Sequence, residues 1–64
     1  MNIEQLKGQW SQLKGDAKSK WGELTDDDLM EIEGDADKLA GKIQEKYGKS
    51  KEQAKEEINE WLAA

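Results

Sequence analysis

The chain has 64 residues, enough for one small domain, and 39% of them are charged. It holds 15 acidic and 10 basic residues, a net charge of -5, and it contains neither cysteine nor histidine. This composition excludes disulfides, thiolate zinc sites and thiol catalysis, and it disfavours binding to the phosphate backbone of nucleic acids or to an anionic membrane.

Size and residue usage also suggest the setting in which the protein works. A small secreted domain usually depends on disulfides, so we expect a cytoplasmic protein. No apolar run approaches the length of a membrane span or a signal peptide. The acidity favours solubility, and we expect a monomer with at most weak self-association. A domain of this size has little stability in reserve, about 3–5 kcal/mol.

The first predicted helix covers Asn2–Trp21. Apolar residues follow each other at steps of three and four, which places one apolar stripe on a helix. Gly8 interrupts the segment, and we expect a kink or a break there. The stripe consists of Ile3, Leu6, Trp10, Leu13, Ala17 and Trp21.

A turn then separates this helix from a short one over Asp26–Glu33. Gly22 follows an aromatic residue, which is typical of a left-handed cap at a helix end. Thr25 is a good N-cap, and the three aspartates after it suit the positive end of a helix dipole. The acidic run could also bind a cation, but helix capping is the favoured interpretation.

The third predicted helix covers Asp35–Tyr47, and Gly34 either breaks the chain before it or merely bends it. Gly48 repeats the pattern of a glycine cap after an aromatic residue. Ser50 is the predicted N-cap of the last helix, Lys51–Leu62, with Gln53 completing a capping box. The apolar face of this last helix contains Ala54, Ile58, Trp61 and Leu62.

The apolar stripe of the first segment recurs 26 residues later with the same intervals. The glycines recur with it, at positions 8, 15 and 22 and again at 34, 41 and 48. We interpret this as an internal duplication that gives two helical hairpins packed on each other. Gly15 and Gly41 are expected to allow a neighbouring helix to approach. The second stripe consists of Leu29, Ile32, Ala36, Leu39, Ile43 and Tyr47.

The sequence therefore predicts an all-α fold, a bundle of four to five helices forming a single domain over residues 1–64. The predicted helix caps are Gly22, Thr25, Gly48 and Ser50. The predicted core consists of Leu6, Trp10, Leu13, Trp21, Leu29, Ile32, Leu39, Ile43, Tyr47, Ile58 and Trp61.

A search for chemistry yields no catalytic, cofactor-binding or metal-ligating residues. Without histidine and cysteine, most nucleophile–base pairs and transition-metal sites are impossible. A calcium loop needs an acid five residues before its glycine, and neither Gly34 nor Gly41 has one. Four lysines lie near Trp10 and Trp21, as in a basic–aromatic nucleic-acid surface. Because both tryptophans lie on the apolar stripe, we assign them to the core and consider nucleic-acid binding unlikely.

Several segments together resemble the CsbD-like family of small bacterial stress-response proteins. The resemblance extends from about Ile3 to Trp61 and is specific only when its pieces are combined. It rests on Trp10–Gly15, on Trp21-Gly22 followed by Thr25-Asp26-Asp27-Asp28, and on Leu39–Gly48. The family's fold is similar to a SAM-like bundle of four to five helices in two hairpins, which agrees with the repeat.

The resemblance implies expression under general stress and no enzymatic activity. Some members are classed as hydrophilins, hydrophilic glycine-rich proteins linked to water limitation, and this chain has 6 glycines. The first hypothesis is a protectant whose charged, hydrated surface keeps aggregating client proteins apart. The second is a SAM-like protein interaction module with an unknown partner, for which Trp61 would be the first anchor to test.

Overall fold

Five α-helices make up the described part of the chain in this computed structural model, which describes the backbone of residues 3–64 and the side chains of 4–64. The prediction of an all-helical fold is confirmed. Asn2, the predicted start of the first helix, and the side chain of Ile3 lie outside the described residues. The helices are α1 (Ile3–Gly8), α2 (Trp10–Lys20), α3 (Asp26–Ile32), α4 (Ala36–Tyr47) and α5 (Lys51–Ala63).

The first predicted helix is divided into two at Gln9. This residue has φ -114° and ψ 14°, and it forms the turn between α1 and α2. Its N–H still donates to the carbonyl of Gln5 at 3.0 Å, so α1 ends with its last turn satisfied. Gly8 is the last residue of α1, and the break follows it.

Gly34 lies in a true break between α3 and α4. Glu33 ends α3 in the left-handed conformation with φ 47°, and Gly34 follows with φ 81°. Asp35 then caps α4 by accepting hydrogen bonds from the N–H groups of Asp37 and Lys38. Two successive left-handed residues reverse the chain direction here, and α1 approaches the glycine closely.

The predicted caps behave in three different ways. Thr25 begins α3 and Ser50 begins α5, each in a capping box with the residue three positions later. Gly48 ends α4 in the left-handed conformation with φ 65°. The prediction for Gly22 is wrong, because its φ is not positive. The chain leaves α2 through a tight turn in which the N–H of Leu24 donates to the carbonyl of Trp21, and this turn brings Leu24 into the core.

One hydrophobic cluster contains residues from all five helices. Leu13, Ala36 and Trp61 pack against it while remaining partly exposed. Leu24, Ala40 and Asp28 are buried although they belong neither to the predicted core nor to a predicted apolar face. The buried apolar residues are Leu6, Trp10, Ala17, Trp21, Leu24, Leu29, Ile32, Leu39, Ala40, Ile43, Ala54, Ile58 and Leu62.

Tyr47 was expected in the core but is 36% exposed. Its hydroxyl accepts a hydrogen bond from the backbone N–H of Glu23 at 3.0 Å, so the ring lies over the α2–α3 loop. Trp21, its counterpart in the repeat, is buried because α5 covers it. The polar end of tyrosine therefore remains at the surface, where it ties the loop to the end of α4.

The proposed role of Gly15 and Gly41 in close helix approach is also wrong. A Cβ atom built at either position would meet nothing within 4 Å. Consecutive helices contact each other in the pairs α1–α2, α3–α4 and α4–α5, and the last pair is the most extensive. The internal duplication and the SAM-like arrangement remain predictions.

Candidate interaction surface

Trp10 joins the start of α2 to the end of α3. Its indole Nε1–H donates to the backbone carbonyl of Leu29 at 3.1 Å in a buried environment. The same carbonyl also accepts the backbone N–H of Glu33 at 3.3 Å, and its second lone pair takes the bond from the indole. The bond satisfies the only polar atom of the indole ring and sets the spacing between α2 and α3.

An open groove of about 520 Å³ runs between these two helices, and its exposed lining is mostly apolar. We call it the α2–α3 groove. Met30 stands at its edge with 71% of its surface exposed, and Met30 and Tyr47 are the two large hydrophobic residues exposed among the described side chains. The groove is lined by Trp10, Lys14, Gly15, Lys18, Asp26, Leu29, Met30 and Glu33.

Charges of opposite sign lie on the two sides of this groove. Lys14 and Lys18 belong to α2, whereas Asp26 begins α3 and Glu33 follows its end. Lys18 Nζ and Asp26 Oδ1 are 2.8 Å apart. This hydrogen bond from Lys18 lowers the pKa of Asp26. Because both side chains are largely exposed, the pair adds little stability.

Asp28 is a buried carboxylate in the first turn of α3, with 7% of its surface exposed. The backbone N–H of Thr25 donates to it at 3.0 Å, and Lys42 and Lys46 of α4 each lie 3.2 Å away. Thr25 first, and then the two lysines, hold the pKa of Asp28 well below its usual range. Glu31 and Asp28 raise the pKa of Lys42 in turn. The cluster stabilises the α3–α4 contact.

A second polar contact lies where α5 covers the α2–α3 loop. The Trp21 and Trp61 rings meet edge to face, with centroids 5.1 Å apart. Trp21 Nε1–H donates to Glu57 Oε1 at 3.2 Å, and Lys49 pairs with the other oxygen of the same carboxylate. Lys49 and Trp21 lower the pKa of Glu57. Trp61 is therefore engaged with the core and only partly accessible.

The structure brings some of the predicted residues together and separates others. Trp10 and Leu29 meet at the groove, and Trp21 meets Trp61 beneath α5. Sequence reasoning missed Met30 because it lies off the apolar stripe. Asp28 could have been recognised, since Thr25 and Asp28 have the spacing of a capping box.

The carboxyl groups with shifted pKa values have structural partners. They are Asp26, Asp28 and Glu57, and each is held in its charged form by a neighbouring donor. Within residues 4–64, the acidic side chains form no group of three that could hold a metal ion. The described helices include none that is both long and apolar enough to cross a membrane.

Comparison with known proteins assigns the chain to a family. The sequence profile described as CsbD-like matches residues 4–56. The chain belongs to the CsbD-like family. CsbD-like proteins form a general stress-response family and are not a known enzyme family, which fits a stress-related role for this chain.

Two CsbD-like relatives show how far the similarity extends. The chain is 57% identical to a UPF0337 protein of Bordetella pertussis, with 97% of the chain and 94% of the relative covered. It is 52% identical to UPF0337 protein YjbJ of Escherichia coli K12, with 95% and 88% covered. These names state no ligand or reaction. No solved structure gives a significant match.

Proposed function

We propose that this CsbD-like protein is a non-enzymatic, hydrophilin-like protectant of the bacterial cytoplasm under osmotic, desiccation or general stress. The observation that carries the proposal is the division between core and surface. Among the described side chains, the large apolar ones are buried or half-buried except Met30 and Tyr47. The remaining surface is dominated by charged residues, which make up 39% of the chain.

In this proposal, the charged surface protects client proteins because it stays hydrated and repels other proteins of like charge. A net charge of -5 on a 7.3 kDa domain makes each copy repel other copies and acidic clients. As water is lost, the interspersed charged side chains keep water near exposed client surfaces. This action needs no specific site, so it depends on total charge more than on any one residue.

The test compares two variants that change the same four exposed carboxylates, those of Asp16, Glu45, Glu56 and Glu60. In the first variant all four become amides, which moves the net charge from -5 to -1, since four negative charges are removed from -5. In the control, Asp16 becomes glutamate and the three glutamates become aspartate, so the charge is unchanged. Each is assayed for protection of a labile enzyme through drying and freeze–thaw, against a globular protein of equal mass and charge.

We expect the wild type and the charge-conserving control to protect better than the globular protein, and the amide variant to lose most of that advantage. Circular dichroism on all samples verifies that they are folded. Equal protection by the amide variant would refute the charge mechanism. Protection no better than that of the globular protein would refute the protectant function itself.

The alternative is a SAM-like interaction module with an unknown partner, anchored at Trp61. The edge-to-face contact with Trp21 favours a packing role for this residue instead. We therefore expect Trp61→Ala to lower the free energy of unfolding by about 2 kcal/mol, the loss of a partly buried aromatic side chain. Thermal melting measures it, with the exposed Met30→Ala as control. A variant with wild-type melting that no longer captures a partner would favour the module.

A further inference from the structure

We propose that the α2–α3 groove is the interface of a weak two-fold homodimer, in which Met30 of each copy enters the groove of the other beside Gly15. This proposal does not depend on the protectant function. It differs from the monomer expected from net charge. It rests on two properties of the groove that one symmetry axis satisfies together, and a third property, its area, limits the strength of the dimer.

The first property is an apolar side chain opposite an empty position. Met30 projects from α3 with 71% of its surface exposed, and methionine adapts well to irregular surfaces. Across the groove, α2 carries Gly15, where a Cβ would meet nothing within 4 Å. An unbranched side chain from another molecule therefore has room to lie against the α2 backbone.

The second property is the sign of charge on the two sides of the groove. A two-fold axis running along the groove places the α2 side of one copy against the α3 side of the other. In that arrangement the lysines of each copy face the acidic residues of the other copy. Each Met30 then lies against the side of the other copy that carries Gly15. Lys18 already pairs with Asp26 in its own chain. Lys14 and Glu33, which form no ion pair among the described residues, are free to pair between copies.

The third property is the surface area that the groove and its edges can bury in a dimer. A stable interface needs about 800 Å² from each partner. That is roughly a fifth of this chain's 4186 Å² surface. The groove and its charged edges offer less than this, and the two copies repel through their net charge. The dimer is therefore weak, and it forms at high protein concentration.

The first test measures self-association by sedimentation velocity from about 10 µM to about 1 mM, a range that includes weak dissociation constants. We expect Met30→Ser and Gly15→Gln to raise the dimer dissociation constant at least about tenfold. Gly41→Gln is the matched control, because Gly41 is also an interior helix glycine with nothing within 4 Å. Both glycine variants should gain helix stability, and only Gly15→Gln should weaken the dimer.

The second test uses charge reversal. Lys14→Glu and Glu33→Lys should each weaken self-association, because each places like charges opposite one another. Mixing the two variants should restore association as a heterodimer, since every like pair then becomes an opposite pair. Lys51→Glu and Glu60→Lys on α5 make the same changes in net charge away from the groove, and mixing them should produce no such recovery.

Three results would overturn the proposal. A wild type that stays monomeric throughout the concentration range excludes a homodimer, even if the groove then binds an added amphipathic peptide. Equal effects of Gly15→Gln and Gly41→Gln place any association outside the groove. Failure of the Lys14→Glu and Glu33→Lys mixture to associate, with both variants folded, excludes the two-fold arrangement.

Discussion

At position 34, any side chain would collide with the neighbouring helix. A Cβ there would lie 2.6 Å from the Cα of Lys7 and 3.1 Å from the Cβ of Trp10. The backbone of Lys7 cannot move away without displacing α1. The positive φ of 81° adds a second penalty that applies to every residue except glycine. Gly34 is thus needed both for the turn and for the contact with α1.

We expect Gly34→Ala to lower the free energy of unfolding by about 2 kcal/mol or more, from the left-handed backbone and the collision together. Gly8→Ala is the matched control, 26 residues earlier in the repeat, where a Cβ meets nothing within 4 Å. This control should change stability by less than about 1 kcal/mol. Urea unfolding of both variants measures the difference, and a Gly34→Ala protein as stable as wild type would contradict the account.

Two tryptophans, Trp10 and Trp21, pack their rings in the core and also donate a hydrogen bond from the indole N–H. Trp10 packs in the core and donates to Leu29, whereas Trp21 packs under α5 and donates to Glu57. In both cases a nitrogen that would be costly to bury alone has an acceptor. Each indole therefore fixes a helix contact as well as filling volume.

At the scale of elements, α3 is a short helix that depends on contacts with its surroundings. Seven residues are too few for a stable isolated helix in water. Thr25 and Asp28 close its first turn, and Lys42 and Lys46 of α4 hold the same Asp28 carboxylate. The short helix that forms one side of the α2–α3 groove is therefore fixed by charge as much as by burial.

Because α3 depends on the charged Asp28 carboxylate, we expect the fold to lose stability in acid. The folded-state pKa of Asp28 is lower than its value of about 4 in an unfolded chain, so the folded form resists protonation. Its contribution to stability is complete above about pH 4 and is lost as the pH falls further. Asp26 and Glu57 are shifted in the same direction and add to this loss.

We expect the melting temperature of the wild type to fall below about pH 4, and Asp28→Asn to be less stable at neutral pH with a flatter acid profile. Asp27 is the exposed residue immediately before Asp28 in the same helix turn, and Asp27→Asn should follow the wild-type profile. Melting monitored by circular dichroism between about pH 2 and 7 covers the titration range of the carboxyls. An Asp28→Asn profile as steep as that of wild type would contradict this assignment.

Sequence reasoning succeeded where the cause of a helix boundary is local. Thr25 and Ser50 begin helices because their own hydroxyls accept from the backbone three residues later. It failed at Gly22, where burial of Leu24 selects a different turn. It also failed at Tyr47, because the repeat does not reveal that α5 covers one copy of the aromatic position and leaves the other exposed.

The groove could not be predicted from the sequence for a related reason. Helical periodicity assigns residues to the stripe of their own helix, but Met30 lies off that stripe and appears as an isolated apolar residue. The groove exists because Trp10 holds α2 at a given distance from α3. That distance comes from tertiary packing between residues 19 positions apart, which no local pattern specifies.

At the scale of the whole molecule, a single core connects the first helix to the last. Leu6 of α1 and Leu62 of α5 belong to the same hydrophobic cluster. We therefore propose that residues 1–64 form one cooperative domain. We expect neither the α1–α2 pair nor the α4–α5 pair to be stable alone, because segments this short rarely bury enough apolar surface.

Cooperativity can be measured directly. We expect unfolding by urea to give the same midpoint by far-ultraviolet circular dichroism and by tryptophan fluorescence. Trp10 reports on the contact between α2 and α3, and the Trp21–Trp61 pair reports on the packing of α5. Two separate midpoints would show that the hairpins unfold independently. The single mutant Trp61→Phe, which removes only the reporter on α5, should leave the two midpoints coincident.

The position of α5 after the other four helices has a consequence for synthesis. Ala54, Ile58 and Leu62 complete the core, yet they are translated after every other residue of the hydrophobic cluster. While the ribosome still covers them, the earlier helices lack the surface that buries Trp21. We therefore expect the domain to complete its folding only after α5 has emerged from the ribosome.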